Sequence, residues 1–189
     1  MHSRKILFLI EIPVFVAFSY ILDSIPFLKF SIWAQGGSIS LVMIPIFLLS
    51  FRWGLKGGLV GGALLGILKL ILGRPYILVP LQGFLDYGVA FTVLGFAGLF
   101  AFKVQHAIKE GQYKHALWFV TLGVLTGSTL RFFAHFYAGA VFFGSAIDGM
   151  GKWLFSFLYN MSYIGPSILI CALAVFYLIK KQPRLLILK

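Results

Sequence analysis

The sequence predicts an all-α integral membrane protein: one membrane domain over residues 1–189, a six-transmembrane-helix bundle with both termini cytoplasmic. Three observations carry this. Hydrophobic residues make up 60% of the chain and charged ones 11%, against roughly 25% charged in soluble domains, and the mean hydropathy is +0.98. Six apolar runs are separated by charged or turn-forming residues. The basic residues gather at alternate ends of those runs.

The first run, about residues 6–22, follows Arg4 and Lys5 and stops at Asp23-Ser24-Ile25-Pro26. No small-residue cleavage site follows it, so it reads as a retained span rather than a signal peptide. The second covers about residues 38–51 and the third about 55–72, ending at Gly73-Arg74-Pro75. The fourth covers about 79–102. The fifth, about 116–143, is long enough to tilt or to extend beyond the bilayer. The sixth covers about 154–179 and holds the single cysteine, Cys171, which has no intrachain disulfide partner.

An even number of spans puts both termini on one side. Arg4 and Lys5, Arg52 and Lys56, Lys103, Lys109 and Lys114, and Lys180, Lys181, Arg184 and Lys189 share one set of ends. The other set has Lys29, Arg74 and Lys152, with Lys69 near a helix end. The excess of Lys and Arg on cytoplasmic loops therefore predicts cytoplasmic termini, and outward connections containing Trp33, Arg74 and Asp148. The net charge of +11 is a topology signal rather than a nucleic-acid footprint. Along the third run, Gly54, Gly58, Gly62 and Gly66, reinforced by Gly57 and Gly61, form one small face on which a neighbouring backbone can pack closely. Gly123 and Gly127 do the same on the fifth.

Asp86 is the most informative residue. It lies in an otherwise apolar run, where a carboxylate costs about 2.5–3.5 kcal/mol on insertion scales. Such an acid needs a partner or a ligand, and Arg131 is the candidate structural partner. Gln82 and Asp86 share a face of the fourth run, with Tyr87 adjacent. Arg131, His135, Gly139 and Phe143 follow the same spacing on the fifth, and Ser156 and Asn160 on the sixth, with Phe155 and Tyr163 nearby. Acid, imidazole and amide from three helices, set among aromatics, suit a flat polar heteroaromatic molecule or a cation. Each member also has an ordinary packing role open to it, and only the set argues for a site.

The sequence contains no His-Glu-x-x-His or Cys/His metal pattern, no Gly-x-Ser-x-Gly elbow and no Gly-x4-Gly-Lys-Ser/Thr loop. No cofactor is expected, nor enzymatic activity, and uphill transport would draw energy from a partner or an ion gradient. A standalone proton-coupled transporter, with Asp86 and His135 as relay, is the competing reading, although no internal repeat of the usual transporter kind is evident.

Residues 70–87 (LILGRPYILVPLQGFLDY), 131–145 (RFFAHFYAGAVFFGS) and 156–160 (SFLYN) resemble the thiamine-specific S-components of energy-coupling factor (ECF) transporters, and the similarity runs over nearly the whole chain. The resemblance implies a thiamine-binding subunit in the cell membrane, with its pocket near the outer face. It also implies a transmembrane coupling subunit and two cytoplasmic ATPases as partners. By that resemblance the substrate-binding residues are Asp86, Tyr87, His135, Gly139, Phe143, Phe155 and Asn160, with Trp33 as an outer-loop lid residue. Three positions depart from the family pattern: Asp86 stands where Glu is typical, Phe143 where Trp is frequent, and Phe155 where Tyr is frequent. The small-x3-small motif that meets the coupling subunit in the family has only an imperfect counterpart, Pro13-x3-Ala17.

Overall fold

The computed structural model describes residues 2–33, 36–73 and 75–186. It is mostly helical. Five helices are long and apolar enough to cross a membrane: α1 (His2–Ser24), α2 (Met43–Leu72), α3 (Pro80–Lys109), α4 (Tyr113–Phe143) and α5 (Lys152–Lys181). The chain is thus a multi-pass membrane protein.

Helix α1 buries a narrow stripe, Ile12, Val16 and Ser19, and exposes Leu9, Val14, Phe18 and Ile21. In a bilayer that outer face is solvated by lipid, so an apolar exterior costs nothing. After α1, the chain turns at Pro26–Leu28 into a two-stranded antiparallel hairpin, β1 (Lys29–Trp33) and β2 (Gly36–Ser40), with Lys29 opposite Ser40 and Ser31 opposite Ser38. The expected second span was to begin at residue 38, and the structure corrects this. Residues 36–40 are extended, Gly36 and Gly37 have positive φ (123° and 69°), and helix begins only at Met43.

The expected second and third spans both fall within α2. Gly54, at φ 71° and ψ −166°, breaks this element into arms 43–53 and 55–72. Only glycine adopts that backbone cheaply. The arms fold back on each other: a Cβ on Gly61 would overlap the Leu49 side chain, and one on Gly58 the Ser50 hydroxyl. In an unbroken helix residues 49 and 61 would stand ~18 Å apart. At eleven residues, the first arm is ~16 Å long, about half of the ~30 Å hydrocarbon core.

Three members of the expected glycine ladder pack on α3, while Gly54 is the break in α2 and Gly57 and Gly61 face its first arm. Cβ atoms on Gly58, Gly62 and Gly66 would collide with α3 backbone at Gly95, Phe91 and Tyr87, and Gly95 and Gly98 of α3 approach α2 equally closely. Gly123 and Gly127 of α4 admit Phe51 and the Leu94 carbonyl, 2.7 and 2.8 Å from where a Cβ would sit. Phe47, Leu49, Phe51, Phe91 and Leu94, all at most 2% exposed, fill the core between these helices.

Neither α3 nor α4 is regular. Helix α3 starts on Pro80, widens to π geometry over Phe84–Val89 and tightens to 3-10 geometry over Val93–Phe100. Helix α4 ends in a π segment, Gly139–Phe143. Such π segments often mark functional sites, because they displace side chains from the regular helical stripe.

Candidate ligand-binding site

Both π segments open onto one cavity of about 710 Å³, within the range of small-molecule pockets. It lies between the hairpin, the end of α1, the ends of both α2 arms remote from Gly54, the start of α3, the end of α4 and the start of α5. Seven of the eight residues expected at the site line it: Asp86, Tyr87, His135, Gly139, Phe143, Phe155 and Asn160. The eighth, Trp33, does not. Its indole Nε1 donates to Ser162 Oγ at 2.9 Å and its ring packs on Phe155 and Tyr159, with centroids 6.0 and 5.6 Å apart. Trp33 therefore pins the hairpin to α5 behind the cavity wall. A second lock lies at Gly37, where a Cβ would come within 2.8 Å of the Tyr163 ring.

Asp86 pairs with His135 and Gln82, not with Arg131. His135 Nδ1 is 2.8 Å from Oδ1, and Gln82 Nε2 donates to Oδ2 at 2.5 Å while its own Oε1 accepts from the Leu78 amide at 3.1 Å. Gln82 is 1% exposed, so the carboxylate is fixed from below by a buried amide and from the side by an imidazole. With Nδ1 facing a carboxylate, the proton of a neutral imidazole belongs on Nδ1. His135 Nε2 is then an acceptor, and among the described residues it is buried without a partner. A ligand N–H at that point would satisfy it.

Asn160 serves the wall and the cavity together. Its Nδ2 donates to the Ser156 carbonyl at 2.8 Å, and its Oδ1 accepts from Tyr163 OH at 2.6 Å. Ser156 Oγ in turn donates to the Phe136 carbonyl of α4 at 2.7 Å. A Cβ on Gly139 would overlap that hydroxyl, so glycine is what lets α4 and α5 meet here. Aromatic faces complete the walls: Tyr87 stacks on Phe91, and Phe155 on Tyr159, with centroids 6.4 and 5.9 Å apart.

One lining charge, Asp23, was not singled out for the site from the sequence, whereas Arg131 and Tyr163 were. Asp23, at the end of α1, pairs with Lys69 of α2 and lies 3.8 Å from Lys29 of β1. A readable signal existed: opposite charges at the same membrane level on neighbouring spans. Arg131 places its guanidinium 4.3 Å from the centre of the Phe91 ring, while Tyr159 and Tyr163 reach the cavity from α5.

A cavity of mixed polar and aromatic character, lined by membrane-spanning helices and by a hairpin, defines a class: membrane proteins that hold a small solute. Comparison with known proteins gives the particular family. The chain belongs to the thiamine transporter protein family (Thia_YuaJ), whose sequence profile matches residues 9–187. It is 43% identical to the thiamine transporter ThiT of Bacillus subtilis (strain 168), over 98% of this chain and 96% of that protein. Its identity to ThiT of Lacticaseibacillus paracasei is 30%, over 100% and 94%. A solved structure of ThiT from Listeria monocytogenes superposes with a TM-score of 0.90 at 30% identity, covering 97% of this chain and 98% of that one. The chain is accordingly a transporter protein and not an enzyme.

Proposed function

We propose that the chain binds thiamine in this cavity and serves as the substrate-binding subunit of an ATP-driven ECF importer in the cell membrane. The observation that carries the reading is the Asp86 carboxylate, fixed by Gln82 and His135 in a cavity walled by aromatic rings. Thiamine joins a permanently cationic thiazolium to a flat aminopyrimidine. The carboxylate supplies counter-charge, or accepts from the pyrimidine amino group. His135 Nε2 accepts a ligand N–H, Asn160 and Tyr87 add polar contacts, and Phe143 and Phe155 flank the rings. Gly139 contributes by being absent of side chain. Trp33 holds the hairpin in place rather than touching the ligand.

The same reading gives the chain six crossings, with the short arm 43–53 as the partial one, and places both termini in the cytoplasm. The clustering of basic residues at one set of helix ends supports that orientation. With no nucleotide-binding loop in the sequence, energy comes from two ATPases through a transmembrane coupling subunit, and release is cytoplasmic. Titration calorimetry of the purified chain with thiamine tests the ligand, and micromolar or tighter binding is expected. Heat-silent titration at every temperature tried, with no protection from thermal unfolding, would remove it.

The Asp86–His135 hydrogen bond favours a second reading, a standalone proton-coupled transporter. Uptake into cells separates the two. Loss of uptake on adding an uncoupler while ATP is maintained supports proton coupling, whereas loss on ATP depletion supports the importer.

A further inference from the structure

A side pocket of about 10 Å³ adjoins the main cavity between β2, α4 and α5. That is room for one particle of about the size of a water molecule or a halide ion. Ser38 and Ser40 line it from the hairpin and Arg131 from α4. Ser40 Oγ accepts from the Val42 amide at 3.4 Å, which leaves its O–H to donate. The guanidinium is the unusual member: its Nε and Nη1 are buried and lack hydrogen-bond partners among the described residues. Phe91 offers it a π face but no counter-charge, and a buried cation left unpaired is strongly unfavourable.

The other charges of the cavity are already engaged. Asp23 is shared by Lys69 and Lys29, and Asp86 is held by His135 and Gln82. Setting the imidazole aside, among the described residues three cationic side chains line the cavity against two carboxylates, leaving one positive charge in excess. A cationic solute entering such a cavity adds a second.

We propose that Arg131, Ser38 and Ser40 form a binding site for a single small monovalent anion of chloride size. The guanidinium and both serines line the same side pocket, its volume of about 10 Å³ suits a single small ion rather than a tetrahedral oxyanion, and one negative charge balances the excess. A water molecule there would accept the guanidinium hydrogen bonds without cancelling its charge. Because β2 supplies the hydroxyls, the anion also ties the hairpin to α4 and α5. The site stands on the geometry alone. Its consequence, that anion and cationic solute strengthen each other's binding, rests on the thiamine reading.

Crystals of the full chain grown with bromide in place of chloride test the site. We expect a bromide anomalous peak within hydrogen-bond distance of Arg131 and the Ser40 hydroxyl, lost in Ser40→Ala and in Arg131→Gln. No peak there in the wild-type protein, or density for water only, would overturn the site. Calorimetry tests the coupling: thiamine affinity should fall roughly tenfold when gluconate replaces chloride at constant ionic strength. Equal affinity in both salts would overturn the cooperativity. A bromide peak in protein that fails to bind thiamine leaves the anion site standing and removes the vitamin reading.

Discussion

A 2.8 Å hydrogen bond joins His135 Nδ1 to Asp86 Oδ1 and bridges α4 to α3 at the cavity. Asp86 sits inside the π segment of α3, and His135 lies one turn before that of α4. Both helices thus depart from regular geometry where they present their polar groups. The pairing offsets part of the cost of an intramembrane carboxylate. It also fixes the imidazole so that its far nitrogen accepts.

Gln82 never has to touch the ligand to matter. Replacing it by Leu removes the donor to Asp86 Oδ2 and frees the carboxylate to rotate. Thiamine affinity should fall roughly fivefold, about 1 kcal/mol, because the carboxylate keeps its charge and loses only part of its orientation. Calorimetry on Gln82→Leu checks this, and an unchanged dissociation constant would mean that His135 alone orients the acid.

Close backbone packing under the site should be intolerant of even one methyl group. In Gly66→Ala the new Cβ overlaps the Tyr87 carbonyl, pushing the π segment that carries Asp86. Destabilisation of ~1–3 kcal/mol is expected, together with weaker thiamine binding. Thermal unfolding in detergent reads the first effect and calorimetry the second.

A second polar network lies away from the cavity. Glu11 of α1 accepts from Arg52 Nε at 2.5 Å and Trp53 Nε1 at 2.7 Å, while Arg52 Nη1 donates to the carbonyls of Arg184 and Leu185. It ties α1, the Gly54 reversal and the C-terminal segment together. Glu11→Ala should lower stability by about 2 kcal/mol or more while leaving thiamine affinity within roughly threefold, since a shift of that size is under 1 kcal/mol. A loss of affinity matching the loss of stability would mean the two ends of the bundle are coupled.

Much of this molecule is legible in its sequence. Apolar runs broken by Pro, Gly and charge locate the long helices, because each must satisfy its backbone internally. The spacing Gln82–Asp86, His135–Gly139 and Ser156–Asn160 survives as a shared cavity wall. Other features depend on relationships that spacing does not contain. The strands 29–33 and 36–40 are short and of mixed polarity, and the second runs into the next helix within three residues, so its end reads as the start of a span. The structural partner expected for Asp86 was Arg131, and His135, one turn further along α4, takes its place. π geometry rotates the relevant faces, and only its outcome selects His135. Trp33, expected as a lid residue, does not line the cavity, and its contact is with Ser162, 129 residues away. Arg74, expected in an outward connection, lies outside the described residues.

Trp33 should act on kinetics. Trp33→Phe keeps an aromatic ring against Phe155 but loses the indole donor to Ser162. Release of radiolabelled thiamine should accelerate about fivefold with little change in association, because the hairpin opens more readily. An unchanged dissociation rate would show that the hairpin is held by other contacts.

The central claim is that Asp86 recognises the ligand with its charge. Asp86→Asn keeps the shape of the side chain and removes the negative charge. Measured by calorimetry against wild type, its thiamine dissociation constant should rise roughly 10- to 100-fold, the value of a hydrogen bond to a charged group. Equal affinity in the two proteins would contradict the account.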